Sequence, residues 1–376
     1  NDREYSLCER VFAPDNDMEE QLIKNNVPLF ALESGDYIKD FDMIGFTLQY
    51  ELSYTNVLNM LNLAQIPLKS SDRENLTPLI CDGGPFRVNQ EPNTDFVDIF
   101  FLGDCEETTN QVIDLLIDCK KKGLSKKEFL LKAKDITGIY VPSFYEDSYN
   151  EDGTLKELKP LYGAPEKVKK AVVSDMNKVF YPKEFVVPYI NIVHDRAVEE
   201  IFRGCIRGCR FCQAGFIYRP IREKSVETIN KQSKALIDST GYDELSLCSL
   251  STSDHSEVNN MLTTLIDWTG KEKINLSLPS LRVDNFSDDL VEQLNKVRRS
   301  GLTFAPEAGT QRLRDVINKN VTQEEVIRTC TKAFDNGWTS VKLYFMMGLP
   351  TETMEDIEGI ANLGMDVIHA FYNNPN

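Results

Sequence analysis

Residues 204–215 read GCIRGCRFCQAG and place Cys205, Cys209 and Cys212 within eight positions. Thiolates this close can hold a metal or form a redox pair. Accident is a poor third explanation: with nine cysteines in 376 residues, a C-x3-C-x2-C match is expected by chance only ~0.005 times. A structural zinc site wants four closed ligands, usually in paired short spacings. The chain has no second CxxC and only the histidines His194, His255 and His369. An iron–sulfur cluster on three thiolates leaves one iron open to an outside ligand, and catalysis needs such an opening. Iron–sulfur is the preferred reading, with zinc or a redox thiol pair as the alternatives.

The elements around the loop must bring the sulfurs together. The cysteines follow a strand-like run, VEEIFRG, and Gly204, Gly208 and Gly215 let the backbone curl. From residue 185 onward strands and helices alternate. VEEIFRG, DELSLCSLS, INLSLPSLR, GLTFAPE and SVKLYFMMG are strand candidates. Helix starts are signalled by Ser287 ahead of Leu290, Val291, Leu294 and Val297, and by capping boxes at Thr322/Glu325 and Thr353/Asp356. Repeated βα units make a barrel or an open α/β sheet. Five units are counted before residue 376, so the barrel is expected to be incomplete there.

The first part, 1–119, also alternates. CERVFAP, VPLFALE, DMIGFTLQY, PLICDGGP and FVDIFFLGD read as strands, DMEEQLIKNN and SYTNVLNMLNLA as helices, and a further helix closes the segment near Cys119. A small open parallel sheet is the expectation. Residues 120–184 break the rhythm and read as a linker with aromatic anchors. The opening Asn1 suggests that the natural start lies further upstream.

C-x3-C-x-aromatic-C, with Phe211 in the aromatic place, resembles the radical S-adenosylmethionine (SAM) superfamily. EIFRGCIRGCRFCQAGFIYRPIRE, FDMIGFTLQYELSYTNVLNML and APEAGTQRLRDVIN are similar to a cobalamin (B12)-binding-type subfamily within it. The resemblance implies a Rossmann-like cobalamin-binding-type domain at 1–119 and a partial (β/α)6 TIM-like barrel at 185–376. It also implies a 4Fe–4S cluster whose open iron chelates SAM, giving a 5′-deoxyadenosyl radical that attacks a substrate.

Barrel strand ends are where ligands meet such folds. They carry Ser249, Ser251, Thr252 and Asp254, then Arg282 and Asp284, then Glu307, then Met347, Gly348 and Pro350. Arg282 suits the SAM carboxylate, Glu307 its ribose or amino group, Ser251 and Thr252 the methionine end, and Met347 and Gly348 the adenine. An Arg282–Glu307 structural ion pair is the plainer alternative. The superfamily's Gly-Gly-Glu after the second strand is replaced by SLSTSDHS, where His255 is read as an ordinary packed or surface residue. In the first domain Gly83, Gly84 and Gly103 are the candidate cobalamin contacts, with Gln49 and Phe86 as covers for a corrin face. The D-x-H-x-x-G motif that would ligate cobalt is absent, since no histidine precedes His194, so either cobalamin binds without a protein histidine or the domain keeps the fold and has lost the ligand. Outside the loop the cysteines read as small core residues, with Cys105, beside a glycine turn, the one to check.

A formal charge of −17 argues against a broad nucleic-acid footprint. The lysines of 120–127 read as solvated surface. Arg203, Arg207, Arg210, Arg219 and Arg222 flank the cysteines and suit docking of an acidic flavodoxin or ferredoxin-type electron donor. No apolar run approaches the roughly 20 residues that span a bilayer, and nine cysteines without an export signal suggest a reducing cytoplasm. The expectation is a radical SAM enzyme. The alternatives are an RNA-modifying methylthiotransferase-like enzyme, a cobalamin-dependent methyltransferase and a non-enzymatic iron–sulfur or zinc redox sensor.

Overall fold

The computed structural model describes residues 3–84, 90–182, 184–190, 192–278, 282–283, 291 and 301–373. The chain forms two compact units, Asn1–Val173 and Ser174–Asn376.

The first unit is built on a sheet of β1 (Met43–Thr47), β2 (Leu79–Gly83), β3 (Ile99–Phe101) and β4 (Ile139–Tyr140), in that order. The first three strands are parallel and β4 is an antiparallel edge. Period-two alternation sends Ile44, Phe46, Ile80 and Phe100 to one face, in a core with Val57, Met60 and Leu61. Those three belong to α2 (Tyr54–Leu63), which shares this face with α1 (Asn16–Asn25). Leu79, Cys81, Ile99 and Phe101 go to the other face, against Val112, Leu116, Phe129 and Leu130. These come from α3 (Thr108–Lys122) and α4 (Lys126–Ala133), the latter started by a complete Ser125/Glu128 capping box.

Residues 120–173, expected as a linker, fold largely with this unit: α4, β4 and the hairpin of β5 (Tyr145–Tyr149) with β6 (Leu155–Pro160) all lie there. In the lysine run Lys120, Lys121, Lys122 and Lys127 are exposed, as expected, and Lys126 is the exception. Lys126 is drawn in to Asp98 at 2.7 Å. CERVFAP and VPLFALE form no strands. The second turns back on itself, with Ala31 N–H on Asp36 O, and only a lone bridge joins Phe30 to Tyr37.

The second unit carries β7 (Ala197–Glu200), β8 (Phe202–Arg203), β9 (Arg222–Glu223), β10 (Glu244–Cys248), β11 (Asn275–Ser277), β12 (Leu302–Glu307) and β13 (Val341–Phe345). Parallel pairing runs β11–β10–β7 and, separately, β12–β13. Its helices are α5 (Ala214–Ile217), α6 (Val226–Thr240), α7 (Val258–Glu272), α8 (Gln311–Val316), α9 (Gln323–Asp335) and α10 (Met354–Tyr372). Both capping boxes read from the sequence are formed, at Thr322/Glu325 and Thr353/Asp356. The helix expected after Ser287 falls almost wholly outside the described residues, as do Asp284 and Phe86. No described helix is long and apolar enough to cross a membrane.

Candidate iron–sulfur and cofactor site

The cysteine loop leaves β8 at Gly204. With a φ of +105° there, and a Cβ that would stand only 2.9 Å from Pro220 O, the position has room for glycine alone. The loop is then braced from two sides. On one, Arg207 grips Asp254 through two hydrogen bonds, Nη2–Oδ1 at 2.6 Å and Nε–Oδ2 at 3.3 Å. Asp254 lies just past β10 and its side chain is buried. On the other, the Arg210 amide donates to Ile317 O at 2.9 Å and Asn318 Nδ2 donates to Gly208 O at 2.8 Å. The Arg210 guanidinium also donates to Val316 O at the end of α8. The loop is thus held at the carboxyl ends of the strands, where a TIM-like barrel meets its ligands.

Within that frame the thiols are half-buried. Burial pushes the Cys209 thiol up, Lys319 and Arg282 pull it down, and Cys212 and Cys205 push it up again. All five groups therefore share one electrostatic neighbourhood. Cys212 N–H bonds Cys209 O at 3.1 Å, and Arg207 N–H points at Cys205 Sγ at 3.4 Å. Among the described residues no three His, Cys, Asp or Glu side chains gather as ligands of one metal ion. A cubane binds each thiolate at a different iron, and so takes sulfurs farther apart than the about 4 Å of one tetrahedral zinc. A three-thiol donor set without a fourth ligand fits such a cluster.

Around the loop, Glu307 closes β12 at a φ of +70° and pairs with Lys319 at 3.0 Å, with both side chains largely buried. The Lys319 ammonium also stands over the Phe211 ring, 5.9 Å from its centroid. The cation paired with Glu307 is therefore Lys319, twelve residues on, and not Arg282. Thr252 is buried and bonds Ser249 at 3.1 Å, while the buried Ser251 Oγ has no partner among the described residues. The Arg282 amide donates to Ser253 Oγ at 3.3 Å. Met347 is 75% exposed, and the Gly348 amide is taken by Glu352 at 2.7 Å. His255 is buried, with Nδ1 accepting from the Glu257 amide and Nε2 facing Lys224 O, so it is a packed residue. The other flanking arginines are engaged too: Arg203 on Glu200, Arg219 on Cys205 O and Arg207 O, Arg222 on Pro220 O.

Sequence reasoning missed Lys319, Asn318 and the Arg207–Asp254 clamp. The NKN of residues 318–320 was visible, but nothing local told that it folds back on the cysteines.

In the first unit, Gly84 has a φ of +109° and a Cβ there would stand 2.4 Å from Leu48 O. At Gly103 a Cβ would stand 2.0 Å from Ala171 O. The close approach both glycines permit is that of the chain's own backbone. Gly83 O accepts from the Leu48 amide at 2.8 Å. Cys105 is half-buried, and its sulfur faces Gly103 O. Cys81, Cys119 and Cys330 are core residues, whereas Cys8 and Cys248 are exposed.

A layered α/β unit followed by parallel βα repeats, with a braced three-thiol loop at the strand ends, defines an α/β protein shaped for a metal-cluster cofactor. The chain belongs to the radical SAM superfamily. The family profile for the N-terminal part of radical SAM proteins matches residues 1–142, and that of the radical SAM superfamily matches 200–364. An uncharacterized protein of Methanocaldococcus jannaschii, MJ0966, is 30% identical over 346 residues, covering 90% of this chain and 66% of the relative. A second protein of that organism, named provisionally as a methylthiotransferase, is 26% identical over 42% of this chain and 36% of its own length. Among solved structures, the radical SAM methyltransferase TsrM of Kitasatospora setae, with cobalamin and a [4Fe–4S] cluster bound, is similar with a TM-score of 0.62 at 11% identity, over 94% of this chain and 65% of its own. The cobalamin-dependent SAM radical enzyme OxsB, with aqua-cobalamin and SAM bound, gives 0.60 at 16% identity, over 92% and 45%. At these identities the likeness is one of fold. The chain spans 66% of the first of these curated relatives, 36% of the second, and 65% and 45% of the two solved structures.

Proposed function

We propose that Cys205, Cys209 and Cys212 hold a [4Fe–4S] cluster and that the chain works as a radical SAM enzyme. When bound, the cluster would pass one electron from an external reductant to SAM, splitting a sulfur–carbon bond to give methionine and a 5′-deoxyadenosyl radical that takes a hydrogen atom from substrate. The observation that carries this reading is the braced loop: opposite walls of the strand-end region pin it and keep the thiols in one neighbourhood. The chain's own residues bind and orient. Arg282 supplies positive charge beside the thiols for a carboxylate. Ser251 Oγ, buried without a partner among the described residues, is left to bond the methionine end. Met347 offers an exposed apolar side chain to adenine. Glu307 is committed to Lys319, so its part is to fix that cation against Phe211.

The first unit is assigned to cobalamin, on the strength of its place in a fold shared with TsrM and OxsB. With no histidine before His194, this unit would offer cobalt no imidazole. An acidic flavodoxin or ferredoxin is the proposed electron donor, facing the exposed Arg210 and Arg219. RNA is disfavoured as substrate by the charge of −17.

Anaerobic reconstitution with iron and sulfide, then dithionite and SAM, tests the reading. Formation of 5′-deoxyadenosine excludes the sensor alternative, and a gel shift with RNA would revive the methylthiotransferase one. Undiminished iron in a variant lacking all three cysteines would end the proposal.

A further inference from the structure

Asp82 is the last side chain of β2 before Gly83, and its register partners are Phe46 on β1 and Phe100 on β3. It is 1% exposed, and among the described residues neither Oδ1 nor Oδ2 finds a hydrogen-bond partner. Buried carboxyl groups are ordinarily matched, and the same sheet shows how. Asp98, at the start of β3, accepts from Ser70, Arg73 and Lys126 on Oδ1, and from the Ile80 amide at 2.7 Å on Oδ2. The matched aspartate lies at the amino edge of the parallel strands. The unmatched one lies at the carboxyl edge, where open α/β sheets bind their ligands.

The backbone beyond Asp82 is clamped to Leu48 through Gly83 and Gly84, which fixes the strand end that carries the carboxyl group. Tyr54, at the start of α2, senses its charge and so shares its surroundings. Burial pushes the Asp82 carboxyl up to about 7 against a small pull from the Gly83 amide, so near neutrality it can carry its proton. A protonated carboxyl offers one donor and one acceptor on adjacent oxygens.

We propose that Asp82 anchors a ligand site at the carboxyl edge of the first sheet, for a ligand presenting an N–H donor beside an acceptor. A primary carboxamide has that pattern, and so does the edge of adenine. For the carboxamide arms of a corrin the inference rests on the cobalamin reading. For a nucleoside it stands without it.

The test uses the whole chain with Asp82→Leu and Asp82→Asn, the latter keeping a donor beside an acceptor. Ligand-free, the leucine variant is expected to melt several degrees above wild type and the asparagine variant no lower than wild type. A drop in both marks Asp82 as a fold residue and overturns the proposal. Aquacobalamin, dicyanocobinamide and adenosine are then titrated separately by equilibrium dialysis. At least one is expected to bind wild type, to bind the asparagine variant within about threefold, and to bind the leucine variant at least tenfold more weakly. Adenosine behaving so while both corrinoids fail would remove the cobalamin reading and leave this site standing. Equal binding by the leucine variant, or no binding of any probe to wild type, overturns the site.

Discussion

The strand ends of the two units handle charge in opposite ways. In the second unit the acids at or just past the strand ends are closed: Asp254 on Arg207, Glu307 on Lys319, Asp356 on Arg312 and Thr310. These pairs do not face outward for a substrate; they fix the walls between which three reactive thiols are hung. In the first unit the strand end keeps Asp82 buried and open. Rigidity by internal pairing suits a site whose chemistry comes from a cofactor. An unmatched acid suits a surface that waits for its partner.

The largest effect that could break this comparison is at the cysteines. Cys209→Ala should cut iron content and 5′-deoxyadenosine formation by at least about a hundredfold, beyond the 10–100-fold loss typical of outer partners of a metal. Iron analysis and product chromatography read both, and normal iron with normal product would show that the braced loop serves some other end.

Next in size is the closed aspartate of the first unit. Asp98→Ala leaves Arg73 and Lys126 buried without their anion, a loss of about 3–5 kcal/mol. It also strips the Ile80 amide of its acceptor, so hydrogen exchange at that amide should quicken along with the fall in urea midpoint. Protection unchanged at Ile80 would mean that the amino edge is not held as described.

Asp82 and Asp356 respond to pH with opposite signs. Its carboxyl titrates near 3.8 when unfolded and at about 7 when folded. Folding therefore favours the protonated form. The group's contribution is complete below pH 4 and is lost as pH rises through 7, an amount of up to roughly 4 kcal/mol. Arg312 and Thr310 hold Asp356 below the usual carboxylate range, so its contribution exists above pH 4 and vanishes in acid. Calorimetry at pH 5 and 7.5 should show wild type losing more stability than Asp82→Asn over that interval. Equal losses would show that Asp82 titrates no differently in the folded and unfolded chain.

Much of this was legible from the chain alone. The cysteine spacing, the parallel strands and both capping boxes depend on neighbours in sequence, and local pattern finds them. Asp82 in LICDGG and Asp98 in FVDIFF were not distinguishable, since each is an acid after a short apolar run. Their difference lies in donors from Ser70, Arg73 and Lys126, which only the fold delivers. Lys126 itself hid in a lysine run that reads as solvated surface. Glu307 was found by its place at a strand end, but its partner was misjudged because Lys319 returns to it through the turn after α8.

That pair supplies the smallest and sharpest test. Glu307 and Lys319 are mostly shielded from water but not sealed from it, at 16% and 11% exposure, so their coupling should fall near 1–2 kcal/mol, within the range for residues in direct contact. Glu307→Gln and Lys319→Met should each destabilise the chain, and the double variant should cost less than the sum, because the second change removes a charge the first left unpaired. The same cycle reads the site. Lys319 lies over Phe211 and acts on Cys209, so removing its charge beside a reconstituted cluster should make reduction harder, lowering the midpoint potential seen in an EPR-monitored titration, whereas removing Glu307 alone should raise it. Additive stabilities with an unmoved potential would show two side chains that merely lie close, and the second unit's strand ends would then be no more closed than the first's.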